Sequence, residues 1–268
     1  MKILFILFLF LQTLFAGGMS ETKTFSGDYH IFTLNNADKS ITAKQVETAF
    51  KANNFFVAQN ANVGHELHQF FQVDDFHIYN HISFYHQELT FKLLQESAKT
   101  GIVAPFGIVM FQSKKTDTLY IIVPKSTMHE RVIGIESKSL KALEKSVLNV
   151  IQTLFPSALY SQSTSNQATK KELFTEYSLE IGDADYEDAK EELEENFEEL
   201  FEEAGFAMPS YFDFTDQLGE ESPYDFYVTY AICKLETLRD IAKLYPESAA
   251  IGPCTTVMYK KKGENKIV

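Results

Sequence analysis

Basic residues are scarce in this chain: 24 Lys and Arg stand against 37 Asp and Glu, for a net charge of −13. Such a surface repels phosphate backbones and anionic lipid, which argues against nucleic-acid or membrane-surface binding and leaves cations or a basic partner as what the field favours. Glycine is sparse too, 12 in all and none grouped for phosphate binding. No phosphate-cradling glycine loop, dinucleotide fingerprint or nucleophile elbow occurs. The only cysteines are Cys233 and Cys254, and no Cys-x-x-Cys is present to lower a thiol pKa. Past its start, the chain has no stretch apolar enough to cross a bilayer. At the start, Met1-Lys2 leads into an apolar run from Ile3 to Phe15 that is too short to span comfortably and reads as a secretory signal. Residues 1–18 are assigned to it, with cleavage after Ala16 or Gly18. The mature chain is then expected to be soluble and exported, into a bacterial periplasm.

What is present is a repeat. Residues 76–112 and 224–260 align without a gap at an offset of 148. Phe84-Tyr85 falls on Ile232-Cys233, Pro105-Phe106 on Pro253-Cys254, and Val109-Met110-Phe111 on Val257-Met258-Tyr259. Upstream, Phe50 to Phe55 falls on Phe201 to Phe206 at an offset of 151. A repeat of this length is a folded domain rather than a short solenoid unit. The first domain is expected over 28–156 and the second over 173–268, joined by a flexible linker at 157–172 rich in Ser, Gln, Thr and Asn.

Periodicity places strands at Tyr29–Leu34, Phe55–Ala58 and Phe76–Tyr85, and a hairpin of Gly107–Gln112 with Thr118–Pro124. Helices are expected from Thr42 as cap to about Asn53, over Gln87–Lys99, and over Ser139–Leu154, where Leu140, Leu143, Val147, Val150, Ile151 and Leu154 recur at helical spacing. The second domain repeats this with strands at Tyr177–Ile181, Pro223–Cys233 and Thr255–Lys260 and helices at Asp185–Ala204 and Leu235–Leu244. Its hairpin partner and closing helix have no counterpart before Val268, so it is expected to be truncated.

The pattern resembles domain-of-unknown-function family 302. The matching residues are Glu203-Ala204-Gly205-Phe206, Ala231-Ile232-Cys233-Lys234 and Gly252-Pro253-Cys254-Thr255-Thr256-Val257 in the second copy, with Asn54-Phe55, Ala104-Pro105-Phe106 and the strand from Ile108 in the first. Tyr85 and Phe106 depart from it where a cysteine pair is expected. The resemblance implies an α+β fold, a small curved antiparallel TBP-like sheet with helices on one face, in two tandem copies that pair as a pseudo-dimer within one chain. It implies no activity.

Three constellations are candidates for chemistry or recognition. Cys233 and Cys254 are an even count in an exported chain, which suggests a disulfide; closing a loop of about 20 residues would stabilise by roughly 3 kcal/mol in the chain-entropy model. His65, His68, His77, His81 and His86 are clustered. Alternation puts His77, Tyr79, His81, Ser83 and Tyr85 on one strand face and Phe76, Ile78, Ile82 and Phe84 on the other, the core face, with His77 and His81 roughly 13 Å apart. A metal held by His65, His68 and a strand histidine among His77 and His81 is the alternative function, together with a redox role for the cysteines. His65-Glu66-Leu67-His68 lacks the zinc-protease spacing. Tyr79, Tyr85 and Tyr227 are expected to line an aromatic ligand groove. The acidic run from Asp183 to Glu203 reads as an amphipathic helix with Ala189, Leu193, Phe197, Leu200 and Phe201 along its apolar stripe. No catalytic residue and no cofactor are indicated. The sequence points to a non-enzymatic binding or assembly protein whose partner is an unidentified small molecule or protein.

Overall fold

The computed structural model describes residues 27–164, 172–182, 185–220, 222–252 and 254–268. The expected signal at 1–18 and residues 165–171 of the expected linker lie outside them. In chain order the first half runs β1 (Tyr29–Asn35), α1 (Ala43–Lys51), β2 (Phe55–Asn62), α2 (Val63–Phe71), β3 (Phe76–His86), α3 (Leu89–Glu96), a 3-10 segment η1 (Ala98–Val103), β4 (Phe106–Ser113), β5 (Thr118–Pro124), α4 (Ser126–Ile133), α5 (Lys138–Leu154) and β6 (Leu159–Gln162). Its strands form one antiparallel sheet in the order β2-β3-β4-β5-β1-β6.

Period-two alternation divides this sheet into two buried faces. Ile82 and Phe84 of β3, Ile108 and Met110 of β4 and Ile121 and Val123 of β5 meet Val46 and Phe50 of α1, Leu93 of α3 and the stripe Leu140, Leu143, Val147, Val150 and Ile151 of α5. Each such side chain contributes about 1.5–3 kcal/mol when fully buried. α1 begins on a capping box in which Thr42 accepts from the Gln45 N–H while the Gln45 side chain accepts from the Thr42 N–H. α5 begins on Ser137, which caps the Leu140 N–H and donates to Glu96; Ser139 also donates to Glu96 through its N–H and hydroxyl. The carboxylate at the end of α3 thus anchors the start of α5.

The second half runs β7 (Leu179–Glu180), α6 (Tyr186–Glu203), β8 (Ala207–Asp213), α7 (Thr215–Leu218), β9 (Tyr224–Cys233), α8 (Leu235–Ala242), a 3-10 segment η2 (Pro246–Ile251), β10 (Cys254–Lys261) and β11 (Lys266–Ile267). β8, β9 and β10 form an antiparallel sheet, and β11 pairs with β7. Tyr259 and Val268 exchange both backbone hydrogen bonds, at 2.9 and 3.0 Å, which ties the chain end to β10. The expectation that the hairpin partner is missing is therefore corrected: β11 and Val268 supply a short one. α6 ends at Gly205, whose φ of +75° needs no Cβ, and Phe206 returns a hydrogen bond to the Phe201 carbonyl while its ring packs on Phe201. Unlike α5, this helix has no fully buried residue. Leu200, expected on its apolar stripe, is exposed.

The linker reading is also corrected at its start. Residues 159–162 are β6, paired along β1 from His30↔Gln162 to Thr33↔Leu159. Polar composition concealed a strand whose order comes from the free edge of β1. The fold is thus mixed α+β with antiparallel sheets, and among the described residues no helix is long and apolar enough to cross a membrane.

Candidate functional site

The second face of the first sheet meets the second half. From Tyr79 onward β3 has the phase expected from sequence, with Tyr79, His81, Ser83 and Tyr85 on this face, all buried; at its start a bulge between Phe76 and Ile78 breaks the alternation, so that Phe76 packs against Tyr79 on this face and His77 is exposed. What covers them is β9 and β10, with Tyr227, Thr229 and Tyr259, together with η2, α8 and α7. η1 packs on β10 and η2 packs on β4. Tyr79 donates to the Pro246 carbonyl at 3.1 Å, Tyr227 donates to the Ala98 carbonyl, and the Tyr85 and Thr229 hydroxyls are 3.1 Å apart. Tyr224 reaches across as well, donating to the Leu94 carbonyl at 3.0 Å, and burial pushes its phenol up to about 12. Burial likewise raises the phenols of Tyr79, Tyr85 and Tyr227. They stay neutral; Tyr79, Tyr224 and Tyr227 act as donors, and in the Tyr85–Thr229 pair either hydroxyl can donate.

These positions overturn the ligand groove. Tyr79, Tyr85 and Tyr227 are sealed between the halves, and their hydroxyls already have partners on the opposite side. Strand alternation identified the face but not its covering.

The histidine site does not assemble either. His65 and His68 lie exposed on α2, His77 is exposed near the start of β3, and His81 is buried at the seam. Among the described residues no group of three or more His, Cys, Asp or Glu side chains could hold a metal. Burial pushes His81 down to about 4, opposed by the Gly252 carbonyl, so the ring is neutral there. His81 Nε2 and Ser83 Oγ have no hydrogen-bond partner among the described residues. The disulfide is corrected as well: both cysteines are free thiols. Cys254 pairs across the sheet with Ile232, so Cys233, one residue along β9, faces the opposite side. Burial raises the Cys233 thiol, and the neighbouring Cys254 adds to this.

Sequence reasoning missed a second polar cluster, at the start of β1. His30 is bonded through Nε2 to Glu144 of α5 and through Nδ1 to Tyr160 of β6, the latter at 2.8 Å. Glu144 also accepts the Ser126 N–H at 2.9 Å, at the start of α4. Burial acts to raise its carboxyl, but the bonds from His30 and Ser126 prevail and hold it below the usual range. Gln162 accepts from Lys125 and donates to Tyr160, and Asp28 pairs with Arg131. Both nitrogens of His30 are engaged, so the imidazole has no free position for a substrate proton. The cluster acts as a clasp that holds β6, α4 and α5 to the start of β1. His30 and Glu144 are 114 residues apart, and no local spacing announces them.

No protein-family model matches the chain, and no curated protein matches it. Among solved structures it is similar to the uncharacterized conserved protein DUF302 from Bacillus stearothermophilus, at 20% identity and a TM-score of 0.37, with 46% of this chain and 95% of that chain covered.

Proposed function

We propose that the chain is an exported, non-enzymatic assembly module, built from two tandem copies of one small α+β domain that form an intramolecular pseudo-dimer. The copies are 28–156 and 173–268, each a curved antiparallel sheet of the TBP-like kind, as in domain-of-unknown-function family 302. One observation carries the reading. The Tyr79–Pro246 and Tyr227–Ala98 hydrogen bonds are the same bond made twice: Tyr227 lies 148 residues after Tyr79, and Pro246 lies 148 after Ala98. A bond from i to j matched by one from j to i is the mark of an isologous, twofold interface. The packing of η1 on β10 and of η2 on β4 repeats this exchange at the level of elements. Strand order supports it too, since β8-β9-β10 followed by β11 and β7 parallels β2-β3-β4-β5-β1. The Phe111↔Tyr120 pair and the Tyr259–Val268 exchange share the offset.

The two sheet faces are spent on each other, so any partner must engage an outer surface. Hydrogen exchange on the intact chain tests the pairing. Tyr227→Phe is expected to lower protection of η1 in the first half, and Tyr79→Phe to lower protection of η2 in the second. Effects confined to the half that carries the substitution would overturn it. Export is tested by cell fractionation with intact-mass measurement; loss of the first 16 or 18 residues is expected, and a full-length cytoplasmic product would contradict it.

A further inference from the structure

α5 closes the helical face of the first half by lying against α1 and α3. The described part of the second half holds no equivalent helix, and the corresponding face is open. The comparison rests on the tandem reading above. Leu93 of α3 is 1% exposed beneath α5, whereas Ile241, its equivalent on α8, is 38% exposed. At the position of Glu96, which anchors the start of α5, stands Leu244, 73% exposed. On α6 the counterpart of Ala49 is Leu200, 64% exposed. The orientation of α6 is fixed by Glu194, which accepts from Tyr211 of β8 at 3.3 Å, and helical spacing puts Leu200 on the opposite flank, toward the open side. The same spacing sets Glu192, Glu199 and Glu203, all exposed, just outside Leu200.

We propose that this face, floored by Leu200, Ile241 and Leu244 and rimmed by Glu192, Glu199 and Glu203, binds a basic amphipathic helix of a partner protein, in the place that α5 occupies in the first half. Two observations choose the occupant. α5 shows what this framework accepts: a helix with apolar residues at i, i+3, i+7, i+10 and i+11 and with Lys138, Lys141 and Lys145 on its other faces. The carboxylate rim is confined to the second half, since α1 carries Glu47 alone, and it selects positive flanks.

The probe is a synthetic peptide of residues 137–155 carrying Glu144→Lys, titrated into the full chain and compared with a twin in which its lysines are glutamates. The basic peptide is expected to bind about tenfold or more tighter than the acidic twin, and more weakly as salt rises. Leu200→Glu and Leu244→Glu, both at exposed sites that the fold tolerates, should each weaken binding by about tenfold. Equal binding of the two peptides, no binding of either, or indifference to both substitutions overturns the inference. So does self-association of the chain that Leu200→Glu abolishes, because the occupant is then a second copy. Hydrogen exchange in the Tyr79→Phe and Tyr227→Phe chains separates the failures: reciprocal effects without peptide binding reject this surface alone, and absent reciprocity rejects the tandem reading beneath it.

Discussion

At the scale of single residues, the seam depends on two glycines as much as on its tyrosines. A Cβ on Gly101 would overlap the Tyr227 hydroxyl, and one on Gly107 would stand 2.6 Å from His81 Nε2 and 2.9 Å from the Gly252 carbonyl. Gly101→Ala is therefore expected to destabilise by about 1–3 kcal/mol, as overpacking does, and Tyr227→Phe in the same chain should relieve part of it. A urea-denaturation double-mutant cycle checks this; strictly additive effects would deny the clash. The buried imidazoles give a second test. Burial pushes His81 and His129 down to about 4, with Glu144 and Asp28 opposing the shift at His129. As pH falls below about 6.5 the unfolded chain takes up these protons before the folded one does. Stability is therefore full above that pH and declines toward pH 4, by about 1.4 kcal/mol per pH unit for each ring. His81→Gln should flatten the profile over that window, and an unchanged slope would show that the ring is not sealed. The thiols add a third. Unreduced protein should alkylate at both cysteines, at exposed Cys254 before Cys233; blocked thiols released only by reductant would restore the bridge. Of these features only the phase of β3 from Tyr79 onward was legible in the sequence, since nothing there announced the bulge between Phe76 and Ile78. Alternation tells which side chains share a face, but the opposite wall of the seam lies more than a hundred residues away.

At the scale of elements, legibility followed periodicity. α5 and α6 were visible because their apolar residues recur at helical spacing, and α1 was visible from its cap. α4 and β6 were not. β6 is Leu-Tyr-Ser-Gln, exposed along its length, and its ladder to β1, the Tyr160–His30 bond and the Lys125–Gln162 bond give it order. Length and periodicity do not measure what a helix contributes, however. Leu143→Ala in α5 removes a side chain packed among Phe50, Leu93 and their neighbours and should cost about 2–5 kcal/mol. Leu193→Ala in α6, which is only half-buried, should cost about 1–2 kcal/mol. Denaturation midpoints of the two variants test the order, and a reversal would mean that α6 is more deeply seated than its exposure indicates.

At the scale of the whole molecule, the repeat in the sequence carries the tandem reading proposed above, while the cover of the tyrosine face was not legible. The tyrosines expected to hold a guest hold the other half instead, because an apolar sheet face satisfies the same pattern whether its cover is a ligand or a domain. One cooperative unfolding transition is expected, and Tyr227→Ala should lower the midpoint reported by probes in either half together. Two transitions, with only the later one insensitive to the substitution, would show halves that stand independently. The reciprocal tyrosine bonds carry a last consequence. In a pair of separate identical chains every substitution is imposed on both partners, and the pair falls apart on dilution. On the tandem reading proposed above, both partners travel on one polypeptide, so their association is indifferent to concentration, and each half is free to diverge without dragging its twin along. On that reading, Cys233 at the position matching Tyr85 and an acidic helix on one side alone are the marks such freedom leaves.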